Sequence, residues 1–212
     1  MIRFLLERKA DATNPVLIEA AALRSNTQII DLLLERGANA TNGMWGAVNG
    51  GNAATVSYLI GKNGDATTPR LIEKAVGAAN APVADVLLKS GAPKDHIDGI
   101  GQPLMILGML TWKVDIVKTL LENGVNPDLK NKAGDTALHI VADDEASKGY
   151  PKFKQQKKGR LPMLEVLIAG KADINAVNAK GETVLKVADG GDVKKILEAA
   201  GASKKLPSPT KQ

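Results

Sequence analysis

Histidine and cysteine are among the side chains that most often take part in catalysis and metal binding. The chain has two histidines, His96 and His139, and no cysteine. Without a cysteine or a Gly-x-Ser-x-Gly motif, these histidines assemble neither a recognisable nucleophilic triad nor a three-ligand zinc site. We therefore predict that the chain is not an enzyme and that it has no catalytic residue, no metal site and no cofactor.

A lysine-rich segment is the second place where the residue types suggest chemistry. Residues 148–160 (KGYPKFKQQKKGR) carry six positive charges and no acid, with Tyr150 and Phe153 between the lysines. Aromatic rings can stack on bases while lysines neutralise phosphates, so the segment could bind a polyanion. It could also contact a protein partner, or be a solvated loop with no binding role. Its sequence KKGR, at 157–160, resembles a short nuclear-import signal, a pattern with many false positives.

The formal net charge of +5 is concentrated in two segments. Residues 148–160 and the tail, 203–212, together hold nine positive charges and no negative ones, so the rest of the chain carries −4. Any polyanion binding would therefore fall on these two segments, and we do not expect nucleic acid to be the main partner.

No segment of the sequence predicts a membrane span or a secretion signal. The apolar stretch near the N-terminus, Phe4 to Leu6, is followed at once by charged residues and is too short for either purpose. The lack of cysteine is compatible with a reducing compartment. We expect a monomeric cytoplasmic protein without a membrane partner, with a nuclear location as the alternative.

The elements that position these residues are predicted by a repeat. An apolar doublet followed by a polar step and a turn occurs seven times, at steps of 28, 26, 28, 33, 47 and 29 residues. The second apolar residues of the doublets are Leu6, Leu34, Ile60, Leu88, Leu121, Ile168 and Leu197. Apolar residues at helical spacing in each unit predict two short helices that end near a glycine. Steps of this size indicate an all-α solenoid in which each helix pair buries its apolar face against the next.

Two stretches resemble the ankyrin repeat. In that family each unit passes through a β-hairpin, or finger, with the pattern D-x-x-G-x-T-P-L-H-x-A-A, into its first helix. Residues 123–142 (NGVNPDLKNKAGDTALHIVA) are similar to this pattern, and residues 171–188 (KADINAVNAKGETVLKVA) repeat it. The resemblance implies an ankyrin-repeat solenoid with its fingers mainly in the C-terminal half.

The resemblance also implies roles for single residues. Gly134 and Gly181 would take the tight-turn position of the finger, where the absence of a Cβ atom is needed. Thr136 and Thr183 would cap the first helices. His139 would be a hydrogen-bonding link between helices and loops and not a catalytic group.

The resemblance extends over nearly the whole chain but weakens toward the N-terminus. Turns rich in Asn, Gly, Thr and Pro replace the fingers there, so fingers are expected only from about Pro93 onward. The predicted organisation is an array over 1–202, with a half-repeat or cap at 1–12, a basic insertion inside one repeat at 143–162, a cap repeat at 176–202, and a flexible basic tail at 203–212.

The function that the resemblance implies is a protein-interaction scaffold that binds a partner protein through its concave face and fingers. The predicted contacts on the fingers are Asp98, Lys130, Asn131, Lys132, Asp135, Asn178, Lys180 and Glu182, and those on the insertion are Tyr150 and Phe153. Two alternatives stay open. One is polyanion or nucleic-acid association through the insertion and tail, and the other is a targeting or regulatory fragment of a larger enzyme.

Overall fold

The structure is a computed structural model that describes residues 11–143 and 157–203. In these residues the regular elements are helices, joined in consecutive pairs by short turns. Two isolated antiparallel bridges, Ile97 to Pro103 and Val177 to Thr183, complete the described secondary structure. The prediction of an all-α fold built from helix pairs is confirmed.

The chain divides into two compact units, and the first spans Met1–Pro93. The helices among its described residues are α1 (Pro15–Leu23), α2 (Thr27–Glu35), α3 (Ala40–Gly50), α4 (Ala53–Gly61), α5 (Pro69–Gly77) and α6 (Ala81–Lys89). Each odd-numbered helix pairs with the next one, α3 packs against both α1 and α5, and α4 packs against α6. Successive pairs therefore lie side by side.

The second unit spans Lys94–Gln212. Outside 144–156 and 204–212 its helices are α7 (Leu104–Met109), α8 (Val114–Glu122), α9 (Ala137–Ala142), α10 (Lys157–Ala169), α11 (Val184–Val187) and α12 (Gly191–Ala199). The short first helices form one row, with α9 between α7 and α11. The second helices form another row, with α10 between α8 and α12.

Both units have an aliphatic core that neighbouring pairs build together. Helices of nine residues, the commonest length here, are marginal in isolation. Their stability comes from buried side chains, each contributing about 1.5–3 kcal/mol relative to an exposed one. Fully buried examples are Ile18, Ile30, Leu33, Met44, Leu59, Ile72 and Leu87 in the first unit, and Leu104, Met105, Ile106, Met109 and Ile116 in the second.

Asparagine begins five helices of the first unit. The side-chain oxygen of each accepts a hydrogen bond from a backbone N–H two or three residues further on, at 2.8–3.2 Å. The five residues are Asn14, Asn26, Asn39, Asn52 and Asn80. A cap of this kind contributes about 1 kcal/mol and lets the chain turn directly into the next helix.

The second helices of six repeats share one C-terminal turn. A buried leucine carbonyl accepts the N–H of the residue five positions later, and the residue before that donor has a positive φ. The acceptors are Leu33, Leu59, Leu87, Leu120, Leu167 and Leu197. Leu197 is thus equivalent to Leu167 and not to Ile168, so the doublet pattern places the last repeat one residue out of register.

The fingers occur only in the second unit among the described residues. In the first unit short turns join each second helix to the next first helix, over residues 36–39 and 62–68. The prediction of fingers mainly in the C-terminal half is confirmed. The predicted insertion, 143–162, falls between α9 and α10, and its residues 157–162 belong to α10. Residues 1–10, 144–156 and 204–212 lie outside the described part of the chain.

Glycines bring the backbones of α1 and α3 into close contact. A Cβ atom on Gly46 would lie 2.1 Å from the carbonyl oxygen of Glu19, and one on Gly50 would lie 2.5 Å from that of Leu23. Real Cβ atoms do not approach backbone so closely, so both positions require glycine. No helix among the described residues combines the length and apolarity that crossing a bilayer requires.

The substitution Gly46→Ala is expected to lower the free energy of unfolding by about 1–3 kcal/mol, because the added methyl group must push α1 and α3 apart. Gly77→Ala in α5 is the matched control, since a Cβ atom there meets nothing within 4 Å. Alanine is normally favoured over glycine in a helix, so the control should be neutral or slightly stabilising. Urea denaturation followed by circular dichroism measures both, and equal effects would contradict the close packing.

Candidate functional site

Three loops of the second unit have the same backbone structure. They are finger 1 (98–102), finger 2 (131–135) and finger 3 (178–182), each of five residues. In every finger the N–H of the first residue donates to the carbonyl of the fifth at 3.0 Å. The N–H of the fourth residue, a glycine, donates back to the first carbonyl at 2.9–3.1 Å.

The first residue of each finger also holds the loop with its side chain. One oxygen of Asp98, Asn131 or Asn178 accepts the backbone N–H groups of the third and fifth residues of its own finger, at 2.8–3.0 Å. Asp and Asn are suited to this role because their short side chains reach the backbone two residues on. These three predicted contact residues therefore shape the loops that carry the others.

Glycine at the fourth position serves both the turn and the contact between fingers. Gly101, Gly134 and Gly181 have φ of +89°, +80° and +74°, a region that glycine adopts without strain. A Cβ atom on Gly134 would lie 2.5 Å from Ala179, and one on Gly101 would lie 2.6 Å from the side-chain carbons of Lys132. The second residue of a finger thus lies on the glycine of the preceding finger.

His139 links finger 2 to finger 3. It is fully buried, and its Nε2 lies 3.0 Å from the carbonyl oxygen of Glu182. Because that carbonyl can only accept, Nε2 carries the proton and donates. Nδ1 then accepts from Thr136, whose Oγ1 lies 2.9 Å away and whose backbone N lies 3.4 Å away. The expectation that His139 connects helices and loops is confirmed.

The helix caps implied by the resemblance are present. The Oγ1 atoms of Thr136 and Thr183 accept the backbone N–H groups of His139 and Lys186, at 3.5 and 3.3 Å, at the starts of α9 and α11. Both threonines are buried. The caps fix the direction in which each finger enters its helix.

Side chains and backbone between neighbouring repeats form further hydrogen bonds. The Asp135 carboxylate accepts from Nδ2 of Asn178 at 3.0 Å, which joins fingers 2 and 3. Below the fingers, the Asp128 carboxylate accepts the backbone N–H of Asp173 at 2.8 Å. Burial raises the pKa of Asp128 above its ordinary value, and the negative charge of Asp173 acts in the same direction.

The charged side chains of the fingers differ in how they are engaged. The carboxylate of Glu182 lies 3.4 Å from the ammonium group of Lys186 in an exposed ion pair, and Asp135 is bound to Asn178. Lys130, Lys132 and Lys180 are exposed, and no carboxylate in the described ranges lies within ion-pair distance of them. These three lysines are the predicted contacts that solvent reaches most directly.

The site contains two residues that the sequence did not single out. Ile97 and Ile100 are 48% and 69% exposed; Ile100 lies on finger 1, and Ile97 directly precedes it. A comparison of the three fingers could have found them. The finger positions of Ile97 hold Lys130 and Val177 in the other two loops, and those of Ile100 hold Ala133 and Lys180.

Arg160 joins the insertion to the preceding helix. The Arg160 guanidinium donates to the carbonyl of Val141 at 2.7 Å and also to the carbonyl of Ala142, at the end of α9. The predicted contacts Tyr150 and Phe153 lie outside the described residues. The residues that the structure describes contain no group of three or more His, Cys, Asp or Glu side chains placed to hold a metal ion.

Stacked helix pairs with a finger projecting before the first helix define a class of repeat protein. A family model described as ankyrin repeats (many copies) matches residues 113–153, which include finger 2. This match agrees with the resemblance found in the sequence.

Two curated proteins have related sequences. Over 114 residues the chain is 31% identical to an ankyrin repeat protein of fowlpox virus (strain NVSL), FPV228. The aligned region covers 50% of the chain and 21% of that protein. Over 142 residues it is 28% identical to E3 ubiquitin-protein ligase KEG of Arabidopsis thaliana. This aligned region covers 66% of the chain and 8% of the ligase. The chain thus spans about a fifth or less of the length of these relatives.

Solved structures share the fold. The human ASB11 ankyrin repeat domain superposes with a TM-score of 0.64 at 23% identity, over 88% of the chain and 83% of that domain. An ankyrin repeat domain from Acinetobacter baumannii AYE superposes with a TM-score of 0.71 at 20% identity, over 88% and 98%. The chain has the ankyrin-repeat fold, and residues 113–153 match the ankyrin-repeat family model. Ankyrin repeats are in general protein-interaction modules.

Removing the side-chain oxygen from finger 2 by Asn131→Ala is expected to lower the free energy of unfolding by about 1–2 kcal/mol, because two backbone N–H groups lose their acceptor. Asn131→Asp is the matched control, since Asp98 accepts the equivalent bonds in finger 1. Urea denaturation measures both variants. If alanine and aspartate had the same effect, the loop would not depend on this acceptor.

The stability of the protein is expected to fall as the pH drops below about 6.5. Burial lowers the pKa of His139 from its ordinary value of 6.5, and this effect outweighs the opposing effect of the Glu182 carbonyl. Between the lowered folded-state pKa and 6.5 the unfolded chain binds more protons, so stability present above pH 6.5 is lost on acidification. For one histidine the slope is at most about 1.4 kcal/mol per pH unit.

The measurement is urea denaturation at several values between pH 7.5 and 5.5, for the native chain and for His139→Gln. The variant, which cannot be protonated at this position, should show a shallower dependence whatever its absolute stability. An unchanged dependence would contradict the assignment to His139.

Proposed function

We propose that this chain is a non-catalytic interaction module that binds a partner protein through the fingers and the adjoining first helices of its second unit. The observation that carries the proposal is the identical hydrogen bonding of the three fingers. Each loop is closed on itself, packed on its neighbour and anchored to a buried helix. Side chains with no structural role are therefore held outward at fixed positions.

Such a surface needs little ordering when it binds. Association normally costs about 0.5–1.5 kcal/mol for each flexible side chain or loop element that becomes immobilised. In these fingers the backbone is already fixed by the side chains of Asp98, Asn131 and Asn178. The binding free energy then comes from the exposed side chains with little loss to loop ordering.

The proposed contacts fall into two groups. Lys130, Lys132 and Lys180, with Asp135 and Glu182, would touch the partner. Asp98, Asn131 and Asn178 would act through the shape of the loops. Tyr150 and Phe153 of the insertion remain part of the proposal as further contacts.

A scaffold role, a cytoplasmic location and a monomeric state are also proposed. The match to one region of a much longer ubiquitin ligase favours a second candidate, in which an array of this kind is the targeting part of an enzyme. Both candidates require the same partner-binding surface, so the same experiment tests them.

The triple substitution of Lys130, Lys132 and Lys180 to Glu is expected to reduce recovery of partner proteins roughly tenfold or more, as hot-spot substitutions do. The control changes Lys118, Lys194 and Lys195 to Glu, which alters the net charge equally at exposed positions of α8 and α12. Affinity purification from cells, quantified by mass spectrometry, compares the native chain with both variants. Partners lost equally from both variants, or from neither, would contradict binding through the fingers.

A further inference from the structure

Finger 1 has an apolar surface that no packing role explains. Of the large hydrophobic residues exposed in the described ranges, two, Ile97 and Ile100, lie within one loop. Apolar residues exposed singly are ordinary, whereas a contiguous exposed apolar patch marks an interaction site, and two isoleucines so close in the chain can contribute to such a patch. The loop is rigid because the carboxylate of Asp98 accepts two of its backbone N–H groups.

A lysine of finger 2 lies directly beside this apolar surface. The carbon atoms of the Lys132 side chain pass over Gly101 of finger 1, so close that a Cβ atom on that glycine would clash with them. The aliphatic stem therefore extends the apolar surface, while the ammonium group remains at its edge. Lys130, which directly precedes finger 2, is a second exposed cation.

The acids of the fingers are already bound within the protein. Asp98 accepts from its own loop, Asp135 accepts from Asn178, and Glu182 pairs with Lys186. In the part of the chain that the structure describes, no carboxylate lies within ion-pair distance of Lys130 or Lys132. An isoleucine surface beside two such cations is complementary to an apolar side chain flanked by negative charge.

We propose that fingers 1 and 2 form a docking site for an acidic segment of a partner protein that carries a bulky aliphatic or aromatic side chain. The apolar side chain packs on Ile97 and Ile100, and neighbouring carboxylates pair with Lys130 and Lys132. This inference rests on the proposed function and names the chemistry of the partner. A nucleic acid fits less well, because isoleucine offers no face on which a base can stack.

The test begins with a random-peptide phage display selection on the full-length chain. The inference expects enriched peptides to carry Asp or Glu within about three positions of Leu, Ile, Met or Phe, a spacing that spans neighbouring side chains of an extended segment. The most enriched peptide is then synthesised, and its affinity is measured by fluorescence polarisation at low and high salt. Affinity should fall as salt rises, because the lysine contacts are exposed.

Two pairs of substitutions separate the parts of the site. Ile97→Ser with Ile100→Ser removes the apolar surface, and Lys130→Gln with Lys132→Gln removes the cations. Each pair is expected to weaken binding roughly tenfold or more, as central interface substitutions do. The controls are Val16→Ser with Leu23→Ser, which are exposed on α1, and Lys118→Gln with Lys195→Gln, which are exposed on second helices. Both control pairs should change affinity less than about twofold, and thermal unfolding verifies that all variants fold.

The outcomes distinguish this inference from the proposed function. If the enriched peptides lack acidic residues but no longer bind the finger variants, the acidic nature of the partner is overturned, while binding through the fingers stands. Acidic peptides that bind all variants equally would overturn both. Failure to enrich peptides beyond a selection on the isoleucine variant would overturn the docking site. Binding of single-stranded oligouridine that depends on the lysines but not on the isoleucines would replace the protein partner with a polyanion.

Discussion

None of the helix pairs that the structure describes can cover its own apolar face, and the rest of the structure depends on that constraint. The described helices have four to thirteen residues, too few to be stable alone, so each pair must be covered by the next. The unpaired backbone N–H and C=O groups at the helix ends must then find hydrogen-bond partners within very short connections. The shared C-terminal turn at the buried leucines does this with one hydrogen bond and one residue of positive φ. At Lys171 the residue of positive φ is not a glycine, which shows that the turn is imposed by the packing.

The two units meet the constraint differently. In the first, asparagine caps turn the chain directly into the next helix, and glycines let α1 and α3 approach until backbone meets backbone. In the second, a finger precedes each first helix and packs on the finger before it. The first solution uses an asparagine side chain at the start of five helices. In the second unit one Asp or Asn of each finger holds the loop together, and the remaining side chains point outward.

Much of this could be predicted from the sequence, because the signals are local. Apolar doublets predicted the second helices, and the pattern around Gly134, Thr136 and His139 predicted a finger and its helix cap. The surface could not be predicted in the same way. Ile97 and Ile100 are apolar, so periodicity alone favours burial, and only their place on a closed loop exposes them. The double roles of Asp98 and Asn178 follow from backbone geometry that no residue pattern specifies. In the sequence Arg160 looks like part of a basic motif. Its hydrogen bond to the carbonyl of Val141 in α9 joins residues far apart in the chain, so the sequence does not predict it.

The contact between Arg160 and the end of α9 has a consequence for protein engineering. By binding the carbonyls of Val141 and Ala142, the guanidinium fixes the start of α10 beside the end of α9. The backbone N–H of Asp189 binds the same Ala142 carbonyl at 2.8 Å and ties that point to the following repeat. The end of α9 and the start of α10 therefore lie close together. Such a closed pair of ends is the geometry needed to display a grafted peptide or a small inserted domain without altering the repeats on either side.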